Sequence, residues 1–177
     1  MAKKLAQWGP RMLVKDAEKL AWQLLKAHKL KDWTYETNTR KRTLGLCFSQ
    51  YKRIELSIYF IEHNNFEVVR ETLLHEIAHA LVGSDQGHNA VWMEMAEKLG
   101  VTPRRKSAAA IMPPGPWQAT CRGCNRLFSK HRKPKYISGN SCAICGPKLG
   151  RLHYVRTESK LALPKGAAAM QRTSKSD

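Results

Sequence analysis

The C-terminal part of the chain contains very little negative charge. Residues 101–177 carry 16 Lys and Arg against 2 Asp and Glu, whereas residues 1–100 carry 15 against 12. The whole chain of 177 residues has a formal net charge of +17. Because the net positive charge is concentrated in the second part, we expect an acidic partner there, and nucleic acid is the commonest one. The alternative is that this charge only keeps the protein soluble.

Long apolar runs are also absent. No segment approaches the roughly 18 apolar residues of a membrane span, and the first residues lack the apolar stretch of a secretory signal. We therefore expect no membrane partner and an intracellular location, cytoplasmic or nucleoid-associated in a bacterium or a virus. In a reducing compartment, paired cysteines indicate a metal site more often than a disulfide.

Composition divides the chain into four segments. We predict a first domain at 1–102, a linker at 103–116, a compact cysteine-bearing module at 117–157 and a disordered basic tail at 158–177. The linker prediction rests on the prolines, the consecutive alanines and the Arg-Arg-Lys cluster of this segment. The tail prediction rests on its richness in Ala, Lys and Ser.

Hydrophobic periodicity predicts a mixed α+β first domain with a small β-sheet. We expect helices at 11–30, 65–82 and 89–99, with Asn64 or Asn65 as the cap of the second, and short strands at 33–37, 43–49 and 53–59. The predicted buried stripe of the second helix consists of Phe66, Val69, Leu73, Ile77 and Leu81. Cys47, in the second strand, is expected to be a small buried hydrophobic residue.

A His-Glu-x-x-His motif lies on the second predicted helix. His75 and His79 are four residues apart, so both imidazoles project from one helix face and can bind one metal ion. Glu76 lies beside them and can take a proton from a water that attacks a carbonyl carbon. The motif therefore predicts a catalytic zinc site in which Glu76 is the catalytic residue. The alternative is a solvated pair of helix histidines.

The third metal ligand must come from outside this motif. His88 follows His79 by nine residues, beyond glycines that can turn the chain back, and it is our first candidate. Asp85 is the second candidate, as an oxygen ligand. Glu94 and Glu97 follow the motif too closely to match the gluzincin pattern. Among possible groups for stabilising an oxyanion, the sequence offers Tyr59, His63 and Arg70 without favouring any of them.

Four of the five cysteines form two Cys-x-x-Cys pairs. Cys121 and Cys124 are separated by 17 residues from Cys142 and Cys145, which is the spacing of a structural zinc ribbon. Disulfides between these cysteines are the alternative. We therefore predict two zinc sites in the chain, one catalytic and one structural.

The segment between the cysteine pairs combines cations with aromatic rings. Exposed rings can stack on unpaired bases while cations contact phosphates, which predicts binding to single-stranded or distorted DNA. The predicted DNA-binding residues are Arg126, Phe128, Lys130, Arg132, Lys133, Lys135 and Tyr136. Alternatively, Phe128 and Tyr136 form a small core and the cations form a solvated face.

Together, these motifs resemble the SprT-like zinc metalloprotease family, which includes the Spartan-related DNA–protein crosslink proteases. The resemblance rests on the segments Thr43–Cys47, Thr72–Ala80 and Gly87–Trp92 and on the cysteine ribbon that follows them. It implies an α+β fold in which a zincin-like catalytic part is followed by a zinc-binding, DNA-contacting part. It also implies that His75, His79 and His88 hold the catalytic zinc beside Glu76.

Three functions are compatible with these residues. The leading hypothesis is a monomeric, DNA-dependent zinc metalloendopeptidase that acts in DNA repair by hydrolysing proteins bound or crosslinked to DNA. The second is a DNA-independent small zinc peptidase in which the ribbon is only structural. The third is a non-catalytic zinc-ribbon DNA-binding protein, although a role limited to metal ligation would not require Glu76.

Overall fold

A computed structural model of the chain describes residues 10–102 and 109–157. The predicted tail at 158–177 and the part of the predicted linker at 103–108 lie outside the described residues. The described residues form two compact units, which divide between Met112 and Pro113. Each unit has its own hydrophobic core.

The first unit mixes helices with a small sheet, as its periodicity predicts. Its elements in chain order are α1 (Val14–Ala27), β1 (Thr34–Asn38), β2 (Gly45–Phe48), β3 (Arg53–Ser57), α2 (Ile58–Ile61), α3 (Phe66–Val82) and α4 (Ala90–Lys98). Short 3-10 turns lie at Ser49–Tyr51 and Ser84–Gln86. None of the helices in the described part of the chain is long and apolar enough to cross a membrane.

The strands of the first unit form one sheet with β3 in the centre. Strand β1 pairs with β3 in parallel, and β2 pairs with β3 antiparallel, with Gly45 opposite Leu56. Ile54 and Leu56 are buried on one face of β3, and Glu55 and Ser57 are buried on the other, so both faces of the central strand are covered. Strand β2 is therefore an edge strand, with one side of its backbone not paired within the sheet.

Both ends of helix α3 are defined by local chemistry. At the N-terminus the side chain of Asn65 accepts a hydrogen bond from the backbone N–H of Val68, 3.1 Å away, which is the usual role of an N-cap residue. At the C-terminus Gly83 has a φ of 95°, which a residue with a Cβ rarely adopts. These caps place the His-Glu-x-x-His motif in the last turns of α3.

Helix α3 is buried on most of its faces, which the predicted stripe did not anticipate. Val69, Leu73 and Ile77 are buried as predicted, but the prediction was wrong at the ends of the stripe, where Phe66 is 47% exposed and Leu81 is 37% exposed. Sequence periodicity predicts one apolar face and cannot show that neighbouring elements cover other faces as well.

Other predicted elements differ from the structure at their ends. The strand predicted at 53–59 stops at Ser57, because the chain turns into the buried helix α2 at Ile58. The helix predicted at 11–30 spans only Val14–Ala27. Asn64 does not cap α3. Its side chain instead donates to the backbone oxygen of Phe60, 2.6 Å away.

Part of the predicted linker packs against the first unit. The side chain of Asn64 donates to the backbone oxygen of Ile111 and accepts from its N–H, at 2.7 and 2.8 Å. Ala109, Ala110 and Met112 pack against the core of the first unit. Composition did not predict this packing because the partner, Asn64, lies far away in the sequence.

The second unit is built from short strands around a small core. Its elements are β4 (Trp117–Thr120), β5 (Leu127–Lys130), β6 (Ser138–Cys142), α5 (Gly146–Leu149), β7 (Gly150–His153) and β8 (Val155–Arg156). Strand β4 pairs antiparallel with β5 and β8, and β6 pairs antiparallel with β7. The buried residues of its core are Ala119, Cys121, Cys142, Leu152 and Tyr154. So small a core rarely stabilises a unit without a metal or disulfides.

Candidate active site and second metal centre

Three histidines converge in the first unit. Helix α3 carries His75 and His79, and the chain then turns at Gly83 and at Gly87, whose φ values are 95° and 58°, so that His88 returns to the same place. The Nε2 atom of His88 lies 3.1 Å from that of His75 and 3.3 Å from that of His79. The structure therefore brings together the three residues that the sequence indicated as ligands of a catalytic metal.

The spacing of these nitrogens fits a zinc ion. Tetrahedral zinc with Zn–N bonds of about 2.0–2.1 Å separates its nitrogen ligands by about 3.3 Å. Hydrogen bonds alone do not explain the arrangement, since the one Nε2 of His88 cannot donate to both neighbours. Burial, followed by the charges of neighbouring histidines, lowers the pKa of His75 and of His79 to about 4. Both rings are therefore neutral near pH 7 and can bind a metal through a lone pair.

Trp92 forms an apolar base against all three imidazoles. Its ring centroid lies 4.6 Å from that of His75, 5.2 Å from that of His79 and 4.5 Å from that of His88. The ring is fully buried, and the side chain of Asn89 caps α4 by accepting from the N–H of Trp92, 3.1 Å away. Because one rigid ring contacts every candidate ligand, it restricts the rotation of each.

A cavity of about 600 Å³ borders this cluster. One wall is the edge strand β2, and the histidines and Glu76 lie on another. The side chain of Glu76 is only 7% exposed, and burial raises the pKa of its carboxyl group to about 8. A divalent cation at the imidazoles would favour the ionised carboxylate. The cavity thus brings a carboxylate and a candidate metal site together.

The other ligand candidates do not join the cluster. Asp85 is exposed and accepts a hydrogen bond from the side chain of Gln86, 3.3 Å away. Glu94 instead pairs with Lys98 on the surface of α4, at 2.7 Å. Among the described residues, the imidazole group contains histidines only. Of the two leading candidates for the third ligand, the structure brings His88 to the site and leaves Asp85 outside it.

Residues that sequence reasoning considered for oxyanion stabilisation are not at the cavity. Tyr59, His63 and Arg70 are absent from its lining, whereas Arg42, three residues before the edge strand β2, lines it. Arg42 was not among the predicted site residues. The signal that could have found it is its position directly before the segment Thr43–Cys47, which carries part of the family resemblance.

Cys47 lies on the cavity wall and is separate from the clustered cysteines. It packs against the core as predicted, but it is half-buried and its side chain borders the cavity. Burial, more than any other cause, raises the pKa of its thiol to about 11. A thiol with so high a pKa is mostly protonated at neutral pH and is a weak nucleophile.

The four remaining cysteines form the second candidate metal centre. Their Sγ atoms lie within 4.8 Å of one another, and those of Cys124 and Cys142 are 3.8 Å apart. Tetrahedral zinc with Zn–S bonds of about 2.3 Å separates its sulfurs by about 3.8 Å. None of the cysteines is in a disulfide. The arrangement is consistent with a zinc ribbon whose ligands all come from the protein.

The predicted DNA-binding residues lie mostly on the surface of the second unit. All are exposed except Phe128, which packs partly against the small core. The cations also contact rings of their own unit, with Lys130 4.9 Å from the centroid of Tyr154 and Lys135 5.4 Å from that of Tyr136. The core alternative is therefore correct in part for Phe128 and wrong for Tyr136, which is 63% exposed.

Further exposed cations on this unit were not predicted as DNA contacts. They are Arg122, Lys148, Arg151 and Arg156. The prediction missed them because it considered only the segment between the cysteine pairs, and all four lie outside that segment. Contact with DNA stays a prediction for the whole set.

Three converging imidazoles beside a buried carboxylate, in a mixed α+β unit, are features of the metallopeptidase class. The model of the SprT-like family matches residues 11–111, more than half of the chain, and the chain therefore belongs to this family. A search of the curated proteins gave no match. Family membership indicates a metallopeptidase-like function. The matched range includes the imidazole cluster and Glu76 but none of the four clustered cysteines.

Proposed function

We propose that the protein is a zinc-dependent endopeptidase with a zincin-like catalytic unit. His75, His79 and His88 would hold the catalytic zinc, and Glu76 would act as the general base. The observation that carries this proposal is the convergence of three Nε2 atoms, separated by 3.1 and 3.3 Å, at a cavity lined by the Glu76 carboxylate.

The zinc, Glu76 and Trp92 would have different roles, which follow from the chemistry of each group. Zinc, when bound, acts as a Lewis acid and lowers the pKa of water to about 7. The Glu76 carboxylate takes the proton of the attacking water and transfers it to the leaving amine. Its burial keeps competing solvent away from this proton transfer. Trp92 limits the motion of the three imidazoles and so keeps the metal site at a constant distance from the Glu76 carboxylate.

The outer edge of β2, which pairs with no further strand among residues 10–102 and 109–157, supports a peptide as the substrate. The backbone oxygen of Leu44 accepts from the N–H of Ser57 in β3, 2.9 Å away. Because backbone groups alternate in direction along an antiparallel pair, Gly45 and Cys47 direct theirs away from β3. An extended peptide can pair with such an edge through main-chain hydrogen bonds. The cavity would then receive the peptide bond to be cleaved.

The second unit would bring the peptidase to DNA. Its exposed cations and the exposed ring of Tyr136 suit phosphates and unpaired bases, and the segment 101–177 holds almost no acidic residues to oppose them. We propose that it binds single-stranded or distorted DNA. The substrates would then be proteins bound or crosslinked to DNA, which places the activity in DNA repair.

A DNA-independent zinc peptidase is the second candidate function. It is favoured by the small core of the second unit, in which two cysteines are among the five buried residues. Such a unit needs its metal for stability whether or not it binds DNA. A non-catalytic DNA-binding protein is less well supported, because it would have no use for a carboxylate at the metal cavity.

A cleavage assay separates these functions. The zinc-loaded protein is incubated with a DNA-binding protein and single-stranded DNA, duplex DNA or no DNA, and the DNA affinity is measured over a salt series. We expect fastest cleavage with single-stranded DNA and an affinity that falls steeply with salt. Equal cleavage without DNA would favour the DNA-independent peptidase. DNA binding without cleavage in any reaction would favour the non-catalytic protein.

A further inference from the structure

The edge strand β2 lies unusually close to Glu76. A Cβ atom built on Gly45 would lie 2.8 Å from Oε1 and 2.9 Å from Cγ of Glu76. Carbon atoms in ordinary contact are about 3.5–4.0 Å apart, so a side chain at this position fits only if a neighbouring side chain moves. The backbone of Gly45 is not in the positive φ region. Its conformation therefore does not require glycine, but the close approach does.

A Cβ atom at this position requires one of two neighbouring side chains to move. The same Cβ would lie 2.8 Å from Cδ2 of Leu56, on the central strand, and Leu56 is fully buried while Glu76 is 7% exposed. Protein interiors are packed closely and contain few voids. A methyl group at position 45 would therefore move the Glu76 carboxylate toward the cavity, or push Leu56 into the core.

We propose that Gly45 is a positioning residue for the Glu76 carboxylate. Because it lacks a side chain, the edge strand can lie directly against the carboxylate and fix its place in the cavity. Gly45 also directs its backbone groups to the free edge, where we propose that the substrate pairs. One residue thus sets the spacing between the peptide and the base. This inference rests on the proposed function of Glu76.

The first test is the kinetics of Gly45→Ala. Its zinc content should equal that of the wild-type protein, because the three atoms nearest to the new methyl group belong to Glu76 and Leu56 and not to the metal ligands. We expect kcat to fall about 10²-fold, as for a displacement of about 1 Å in a catalytic group, with KM changed less than about threefold. A role limited to stability would leave the kcat of the folded, zinc-loaded variant at the wild-type value, and that result would overturn the proposal.

The second test measures stability and needs no activity. Gly45→Ala is combined with Glu76→Gln, which keeps the shape of the side chain, and with Glu76→Ala, which removes it. The new methyl group should lower the midpoint of urea unfolding in the wild-type and Glu76→Gln backgrounds, and should lower it less in the Glu76→Ala background. An equal loss in all three backgrounds would show that Gly45 does not make room for Glu76.

The new methyl group also contacts Leu56, so Gly45→Ala is measured in a Leu56→Val background as well. If this change relieves the loss caused by Gly45→Ala while Glu76→Ala does not, the glycine serves core packing and the proposal is wrong. The stability cycle remains decisive even if the wild-type protein cleaves no peptide. Conversely, cleavage that Glu76→Gln abolishes but Gly45→Ala leaves unchanged would sink this inference and leave the proposed function intact.

Discussion

The two candidate metal centres of this protein differ in how many ligands the chain supplies. The imidazole cluster supplies three nitrogens and opens onto a cavity, whereas the cysteine cluster supplies four sulfurs. Three protein ligands leave a position of tetrahedral zinc for water or substrate, and four leave none. The atoms of both clusters are spaced as zinc requires. Under the proposed function, ligand number and access to the cavity, rather than the choice of metal, distinguish the catalytic centre from the structural one.

The two centres also differ in what surrounds them. His75 and His79 lie on helix α3, whose buried apolar residues belong to the large core of the first unit. In the second unit, Cys121 and Cys142 are themselves core residues. Loss of the first metal should therefore cost activity, and loss of the second should cost folding.

The largest effect is expected from Cys142→Ala. Structural zinc binds with an apparent free energy of about 10–16 kcal/mol in small metal-stabilised domains, which far exceeds what the five-residue core of the second unit can replace. We expect this variant to lose one zinc and the hydrogen-exchange protection of the second unit, while the first unit stays protected. Cys47→Ala is the control and should keep the wild-type zinc content. If the second unit of Cys142→Ala kept its hydrogen-exchange protection, the proposed difference between the two metal centres would be wrong.

Glu76→Gln should have the next largest effect. The amide cannot accept the proton of the attacking water, so kcat should fall by about 10²–10⁴-fold, while the zinc content stays unchanged. Glu94→Gln is the matched control, because this carboxylate lies on the exposed surface of α4, where it pairs with Lys98. Peptide cleavage that survives in Glu76→Gln, measured on the zinc-loaded variant, would remove the carboxylate from the mechanism.

Changes at Trp92 should weaken metal binding without abolishing folding. Trp92→Ala removes the ring that contacts all three imidazoles, and losing such support for metal ligands typically lowers affinity by about 10–100-fold. Trp92→Phe keeps an aromatic ring and should lose less. Competition with a chelator gives both affinities. Wild-type affinity in Trp92→Ala would show that the ring only fills the core.

The smallest effect is the pH dependence of the metal-free protein. Burial lowers the pKa of His75 and His79 to about 4, whereas an unfolded histidine titrates near about 6.5. Between these values the unfolded chain binds more protons, so stability should fall as the pH is lowered from about 6.5 to about 4. The midpoint of urea unfolding at several pH values measures this. A His79→Gln variant should show a shallower slope, and an unchanged slope would contradict the assignment.

Much of the fold and of the imidazole cluster could be predicted because the signals are local. The spacing of His75 and His79 within one helix determines that they share a face, and the glycines before His88 allow the chain to return. The cap at Asn65 and the two cysteine pairs are also short-range patterns. Each of these features depends on residues that are close together in the sequence.

The remaining features depend on contacts that no local pattern contains. The exposure of Phe66 and Leu81 is set by neighbouring elements, and Asn64 holds a segment 47 residues further along. Nothing in the sequence distinguishes Gly45 from other glycines in strands. Only the structure shows that the carboxylate of Glu76 lies against it. The position of Trp92 beneath the imidazoles likewise requires α4 to pack on α3.

The most direct test of the contrast between the two centres is the zinc content of the wild-type protein and of His88→Ala, measured together with cleavage of a DNA-binding protein on single-stranded DNA. The account predicts two zinc ions and cleavage for the wild-type protein. It predicts one zinc ion, no cleavage and unchanged DNA affinity for His88→Ala. A His88→Ala protein that keeps both zinc ions, or that cleaves at the wild-type rate, would contradict it.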